Sequence, residues 1–216
     1  MLIKFNNDNK NKENLFNKML DTEKQKNILY ILRKYELDPD HSNQVKKLAL
    51  TIFDKTQGVL HDFSEKERDL LEAGAILHDI GYYTSAKGHH KNSAKIIKSE
   101  TPEGFSKEEI EIIANIARYH RGKKPKESHE GYASLSDSAK TLTRKLSAFV
   151  RFADALDNSH LSLIKDLDCV YDFYSQNLFI ILKVNMPDFS LEINKAQSKK
   201  DLFEEEFKVK IKFRFE

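Results

Sequence analysis

Apolar positions fall at helical spacing along the first three quarters of the chain and switch to alternation near its end. Ile28, Leu29, Ile31 and Leu32 form one face of a helix expected over 22–35, closed by Asp38-Pro39 because the residue before a proline leaves the α region. His41-Ser42 opens a second helix, in which Val45, Leu48, Ala49, Ile52 and Phe53 recur on one stripe. Ser64 and Glu67 make a capping box for an Ala- and Leu-rich helix over 65–79, with Gly74 at its middle for close packing and Gly81 as its stop. The His61-Asp62 pair just ahead of it reads as linker. A short helix begins at His89-His90, and Pro102 and Gly104 then break the chain. Ser106 and Glu109 cap the next helix, which turns Ile110, Ile113, Ile116 and Ala117 inward and stops at Gly122. A surface loop to Asp137 precedes a long helix over 138–158 with Leu142, Leu146, Phe149, Val150 and Ala153 inside.

From Asp168 onward the runs NLFIILKV and FKVKIKFRFE read as strands, SLEIN is short and strand-like, and 196–203 looks helical. The expected architecture is mainly α: a flexible segment over 1–20, in which LIKF has the makings of a short strand, a helical bundle over 21–164, and a strand-strand-helix-strand α/β appendage over 165–216. Packing, homodimer formation and closure over a substrate all stay open as roles for that appendage.

Composition narrows the classes. The chain has 216 residues, 39% of them hydrophobic, and lacks any run approaching the ~20 apolar residues that span a bilayer, so no membrane partner is expected. The net charge of +2 arises from 36 basic and 34 acidic residues, so no global field favours nucleic acid. The single Cys169 excludes an intrachain disulfide, and the first residues lack the apolar core of a signal peptide; both point to the cytoplasm.

Polar residues on the inner stripes carry the chemistry. His41 lies four before Val45 and seven before Leu48. His78-Asp79 ends the apolar run from Leu70 to Leu77, with His78 on the face of Leu71, Gly74 and Ala75. His90 stacks under Ala94 and Ile97, whereas His89 aligns with Ser93 and Ile96, so periodicity selects His90 as the inward one. His120 ends the stripe of its helix, and Asp154 lies four after Val150, with Asp157 a turn further. Taken singly these have ordinary explanations: a helix C-cap for His78, an ion pair with Arg151 for Asp154. Repeated inward placement asks for a common partner, because an unpaired buried polar group costs several kcal/mol. Imidazole and carboxylate are ligands for divalent Mn, Fe, Co, Ni or Zn, with Mg also admitted. Four such ligands hold one ion; His41, His78, Asp79, His90, His120 and Asp154 together, with Asp79 bridging, hold two about 3.5–4 Å apart, a spacing suited to phosphoryl displacement. Lys87, His89, Lys91, Arg118, Arg121, Lys123 and Lys124 flank these positions and suit a phosphate group, with Arg121 the first choice for its forked donors. No Walker loop, nucleophile elbow or dinucleotide fingerprint competes.

His41, the adjacent His78-Asp79 and Asp154 resemble the ligand signature of the HD-domain metal-dependent phosphohydrolases. More closely, HSNQVKKLALTIFD, ERDLLEAGAILHDIG, GHHKNSAKIIKSE, GFSKEEIEIIANIARYHRG, RFADALDNSH and SKKDLFEEEF resemble, in order, the C-terminal part of the exopolyphosphatase / guanosine pentaphosphate phosphohydrolase family. Members usually carry an actin-like phosphatase domain in front, which is not expected here, and Tyr82 follows HDIG where many HD groups carry a lysine. The resemblance implies an HD-type helical fold. It also implies a phosphohydrolase in which His78 and Asp79 serve a metal-bound hydroxide that attacks a phosphate ester or anhydride of a nucleotide or related small compound. Arg121, Lys87, His89, Lys91 and Lys124 would hold that substrate. The alternative is a non-catalytic nucleotide- or polyphosphate-binding module partnering a separate actin-like subunit; a di-iron oxygenase is a third, more distant reading.

Overall fold

The computed structural model describes residues 2–4, 23–35, 37–184 and 188–216. The protein is mainly helical. In chain order it has strand β1 (Leu2–Lys4), helices α1 (Glu23–Tyr35), α2 (Pro39–Thr56) and α3 (Glu65–Ile76), a 3-10 turn (Ile80–Tyr83), and helices α4 (His89–Glu100), α5 (Lys107–Tyr119), α6 (Glu130–Ala133) and α7 (Asp137–Ala155). Strands β2 (Ile164–Asp172) and β3 (Asn177–Val184), helices α8 (Ser190–Lys199) and α9 (Asp201–Phe207), and strand β4 (Lys210–Phe215) complete it.

Helix α7 is the axis of the bundle. Its apolar face is wide enough to touch α2, α3, α5, α8 and α9, and Leu146, Phe149, Val150 and Ala153 are fully buried on it. Gly74 lets α3 approach α5: a Cβ there would sit 2.4 Å from Ile116 Cγ2. Both expected capping boxes form, Ser64 with Glu67 and Ser106 with Glu109.

Several boundaries differ from the sequence expectation. Asp38-Pro39 starts α2 rather than merely closing α1: Asp38 is its N-cap, accepting the His41 N–H at 3.2 Å, and proline suits the first turn because its missing N–H would be unpaired there anyway. Helix α3 ends at Ile76, three residues short of the expected end, so His78 and Asp79 occupy a turn rather than a helix terminus. Gly81 is therefore no helix stop but a point of close contact, since a Cβ there would meet His89 O at 2.0 Å and Ser93 N at 2.4 Å. The His61-Asp62 pair lies in the connection between α2 and α3 as expected, but His61 is not merely linker: it is buried in an aromatic cage of Phe53, Phe63 and Phe149.

The sheet order is β1-β2-β3-β4, antiparallel except for the β3–β4 pair. The LIKF strand pairs with the end of β2, Leu2 opposite Asp172; the rest of the expected flexible segment over 1–20 lies outside the described residues. The sequence expectation places strand character from Asp168 onward, yet β2 begins at Ile164, and SLEIN is helical. Its helix holds because Glu192 and Ala196, four apart, both face inward. Two helices rather than one supply the crossover that a parallel β3–β4 pair needs. Phe203 and Phe207 of this crossover pack on Phe149 of α7, at 5.2 and 5.1 Å between ring centres, so the C-terminal part shares the bundle's core.

Candidate metal centre

Five segments converge on Asp79: the first turn of α2, the turn after α3, the start of α4, the end of α5 and the last turn of α7. Asp79 is almost completely buried, and its two oxygens face different partners. On the Oδ2 side, His41 Nε2 and His78 Nε2 lie 3.8 and 3.5 Å away and 3.3 Å from each other. Asp154 Oδ1 adds a fourth donor, 3.4 Å from His41 Nε2 and 3.8 Å from His78 Nε2. On the Oδ1 side, His89 Nε2 and His120 Nε2 lie 3.2 and 3.4 Å away and 3.3 Å from each other. His41, His78 and Asp79 form one group able to hold a metal ion, and Asp79, His89 and His120 a second.

Each imidazole turns Nε2 toward the centre, and in three of them that nitrogen is a lone pair. His78 Nδ1 donates to Ala75 O at 2.7 Å, His120 Nδ1 to Ala117 O at 2.6 Å and His89 Nδ1 to Ala86 O at 3.1 Å. Carbonyls only accept, so Nδ1 carries the proton and Nε2 is left bare. In each case the carbonyl is three residues earlier. His41 is held instead by a carboxylate, Nδ1 to Asp157 Oδ2 at 2.8 Å, and Asp157 is itself fixed by the Ser162 N–H at 2.8 Å. His160 stacks on His41 with ring centres 3.7 Å apart and pairs with Asp38 at 2.7 Å.

These contacts test whether a divalent ion fits. Bare nitrogens 3.3 Å apart repel one another unless something positive lies between them. With metal–nitrogen bonds of about 2.0–2.1 Å, tetrahedral neighbours sit about 3.4 Å apart, close to the observed donor spacings. Asp79 Oδ1 is buried with no hydrogen-bond partner, an omission that would ordinarily cost on the order of 1–3 kcal/mol. The donor set, its spacing and that orphaned oxygen all fit cations on both sides of Asp79.

Protonation follows the same geometry. Burial drives His120 down to about 3, and it also lowers His89. Burial pushes His41 the same way, but hydrogen bonds to Asp154 and Asp157 overcome it and hold His41 up at about 10. Burial would raise Asp79 and Asp154; the surrounding imidazoles instead keep both below the usual carboxylate range.

The structure brings together His41, His78, Asp79, His120 and Asp154 as the sequence pattern implies. It turns His89 rather than His90 toward Asp79, which reverses the periodicity argument. The reason is that α4 begins only at His89, so the helical stripe says little about its first residues; His90 lies half-buried against Gly122, where a Cβ would stand 3.5 Å from His90 Nε2. Among the flanking cations, Arg121 is exposed beside Tyr82, whose ring stacks on His89 at 3.9 Å. Lys124 instead pairs with Asp201 at 3.0 Å and Glu205 at 2.7 Å. Lys87 is exposed, and Lys91 lines a groove between α4 and α5 together with Arg118. The sequence pattern gave no role to Asp157 as the anchor of His41, and none at all to His160, which lies beyond α7 where periodicity has lapsed.

The family model for Ppx/GppA phosphatase, domain III, matches residues 24–206. A guanosine-5'-triphosphate,3'-diphosphate pyrophosphatase from Pseudoalteromonas translucida (strain TAC 125) is 28% identical over 120 residues, which cover 56% of this chain and 23% of that protein. The match thus spans about a quarter of the relative's length.

Proposed function

The chain belongs to the Ppx/GppA phosphatase domain III family, and from that premise we propose that it is an HD-type, metal-dependent phosphohydrolase acting on a phosphate ester or anhydride of a nucleotide or related small phosphorylated compound. The observation that carries the reading is Asp79, with one oxygen toward His41, His78 and Asp154 and the other, buried and unpaired, toward His89 and His120. Ions held there would be kept by His41, His78 and Asp154 on one side of Asp79 and by His89 and His120 on the other. Divalent ions held there would supply Lewis acidity toward a phosphoryl oxygen and acidify a coordinated water.

The chain's own residues do the rest. His78, His89 and His120 present fixed lone pairs because backbone carbonyls hold their other nitrogens, so little reorganisation accompanies ion binding. Asp154, the most exposed of the donor set at 17% of its side chain, marks the side from which a substrate reaches the centre. Arg121 stands there with its guanidinium free of any carboxylate within ion-pair distance among the described residues, and takes a non-bridging phosphate oxygen. The pyrophosphatase named for the bacterial relative supports a phosphoanhydride as substrate.

Elemental analysis and a phosphatase screen with Mn or Mg test the proposal. His78→Ala and Asp154→Ala should each lose bound metal and at least a hundredfold in turnover while keeping the wild-type circular dichroism; full activity in either removes the assigned role. A second reading draws on the match covering only 23% of the relative, which leaves room for catalysis elsewhere in that protein. As a binding module, this chain would take up metal and phosphorylated ligand with no turnover of any compound screened.

A further inference from the structure

Glu192 on α8 is a carboxylate that the fold buries without neutralising it. It is 1% exposed, and no cation pairs with it among the described residues. Its Oε1 accepts the Ser159 N–H at 3.1 Å, while Oε2 is buried with no hydrogen-bond partner. Ala196, one turn further on, fills the inner face of α8 at no such cost, so packing this helix does not by itself call for a carboxylate.

What Glu192 holds is the turn over 157–162 that leaves α7. Ser159 stands between the two residues of that turn that touch His41. On one side is Asp157, whose Oδ2 accepts from His41 Nδ1 at 2.8 Å; on the other is His160, whose ring stacks on His41 at 3.7 Å. The turn is tightly wound: the His160 N–H donates to Asp157 O at 2.9 Å and the Ser162 N–H to Asp157 Oδ1 at 2.8 Å. His160 and Ser162 take φ of 60° and 50°, a left-handed backbone that residues with a side chain keep only where their surroundings impose it. Gln44, three residues after His41 on α2, fixes the far end by donating from Nε2 to Ile164 O at 2.6 Å. Glu192 is the anchor at the middle, and it comes from the C-terminal subdomain. Ser159 Oγ is also buried without a partner, so the contact holds a donor and an acceptor in reserve.

We propose that Glu192 is a positioning residue for the metal centre: it fixes the turn over 157–162 from the C-terminal subdomain and, through Asp157 and His160, sets the aim of His41. The inference rests on the metal-centre reading for what His41 aims at, but the coupling of Glu192 to His41 is already present without an ion. It acts on one side of Asp79. His89 and His120 are held by the carbonyls of Ala86 and Ala117 in their own segments, so their side of the centre does not depend on α8.

Imidazole N–H resonances of the full-length, metal-free chain test the coupling. The proton between His41 Nδ1 and Asp157 should give a low-field signal, identified by its absence in His41→Gln. Glu192→Ala should lose or broaden that signal while those of His78 and His120 stay in place. Glu192→Gln keeps an acceptor for the Ser159 N–H and should restore it. Glu192→Asp keeps the charge but shortens the reach; it should fold and shift the His41 signal, so the proposal stays testable where Glu192→Ala does not fold. Ala196→Gly, which loosens α8 without touching Ser159, should leave the signal unchanged. Zinc titrated against a chromophoric chelator should then bind about tenfold or more weakly to one of two sites in Glu192→Ala, with the other site and Glu192→Gln matching wild type. A His41 signal unmoved in Glu192→Asp and Glu192→Ala, or lost equally in Ala196→Gly, overturns the proposal. Zinc bound equally by wild type and Glu192→Ala also overturns it and leaves the metal centre standing. A signal that depends on Glu192 in a protein that takes up no zinc retains the coupling and removes the metal-centre reading.

Discussion

Asp157 never reaches the donor cluster, yet it decides which nitrogen of His41 does. Its carboxylate accepts the proton on His41 Nδ1 and so makes Nε2 the nitrogen turned to the centre, where an ion would take the place of the proton shared with Asp154. Removing such an outer partner typically costs 10–100-fold in metal affinity. Asp157→Ala should therefore weaken metal binding by about that factor, measured by competition with a chromophoric chelator, with smaller effects on ligands held by carbonyls. His61 makes a different prediction. Its Nε2 donates to Phe53 O at 3.1 Å and its Nδ1 accepts the Phe63 N–H at 3.3 Å, so the neutral ring is fully used and a second proton would displace the Phe63 contact. Burial, against a weaker opposing pull from the Phe53 carbonyl, lowers it to about 4. The unfolded chain takes up this proton near the ordinary value of 6.5 and the folded chain only near 4. Stability should thus fall as the pH drops through that window, by up to about 3 kcal/mol, and level off below it. Urea unfolding at pH 7 and pH 5 would show a smaller loss in His61→Phe than in wild type.

At the scale of elements, the 3-10 turn holds the two halves of the centre together. Gly81 donates its N–H to Ser93 Oγ at 2.9 Å, and its bare Cα lies against the backbone of α4. Any Cβ would strike His89 O and Ser93 N, neither of which yields cheaply because both belong to the helix. Gly81→Ala should cost about 3 kcal/mol or more by overpacking. Because α4 must move away from Asp79, it should also lose metal on the His89–His120 side before the His41–His78 side, visible as a halved metal content in protein that still folds.

Over the whole molecule, the C-terminal part is a structural member of the bundle. Phe203 and Phe207 fill the space over Phe149, and Phe213 stacks on Phe152 at 6.0 Å. Burying one such ring contributes about 1.5–3 kcal/mol, so losing several approaches the whole stability of an ordinary domain. A chain ending at residue 163 should show broadened, poorly dispersed amide resonances and bind a hydrophobic dye. A cooperative thermal transition equal to that of the full chain would instead show that the helical part stands alone.

The residue pattern by itself determined the main helices of the bundle, two of their capping boxes and most of the donor set. His41, His78, His120 and Asp154 each continue an apolar stripe, and a stripe of period 3.6 has to face the core wherever its helix packs. Their identity as imidazole and carboxylate already made them candidates for holding a divalent ion. Tertiary structure alone decided the choice of His89 over His90, the turning of the two Asp79 oxygens toward different histidine pairs, and the recruitment of Asp157 and His160. All of these lie at helix starts, in turns, or across contacts between segments distant in the chain. There the direction of a side chain is set by where an element ends and what it packs against, and periodicity along the chain carries no record of either.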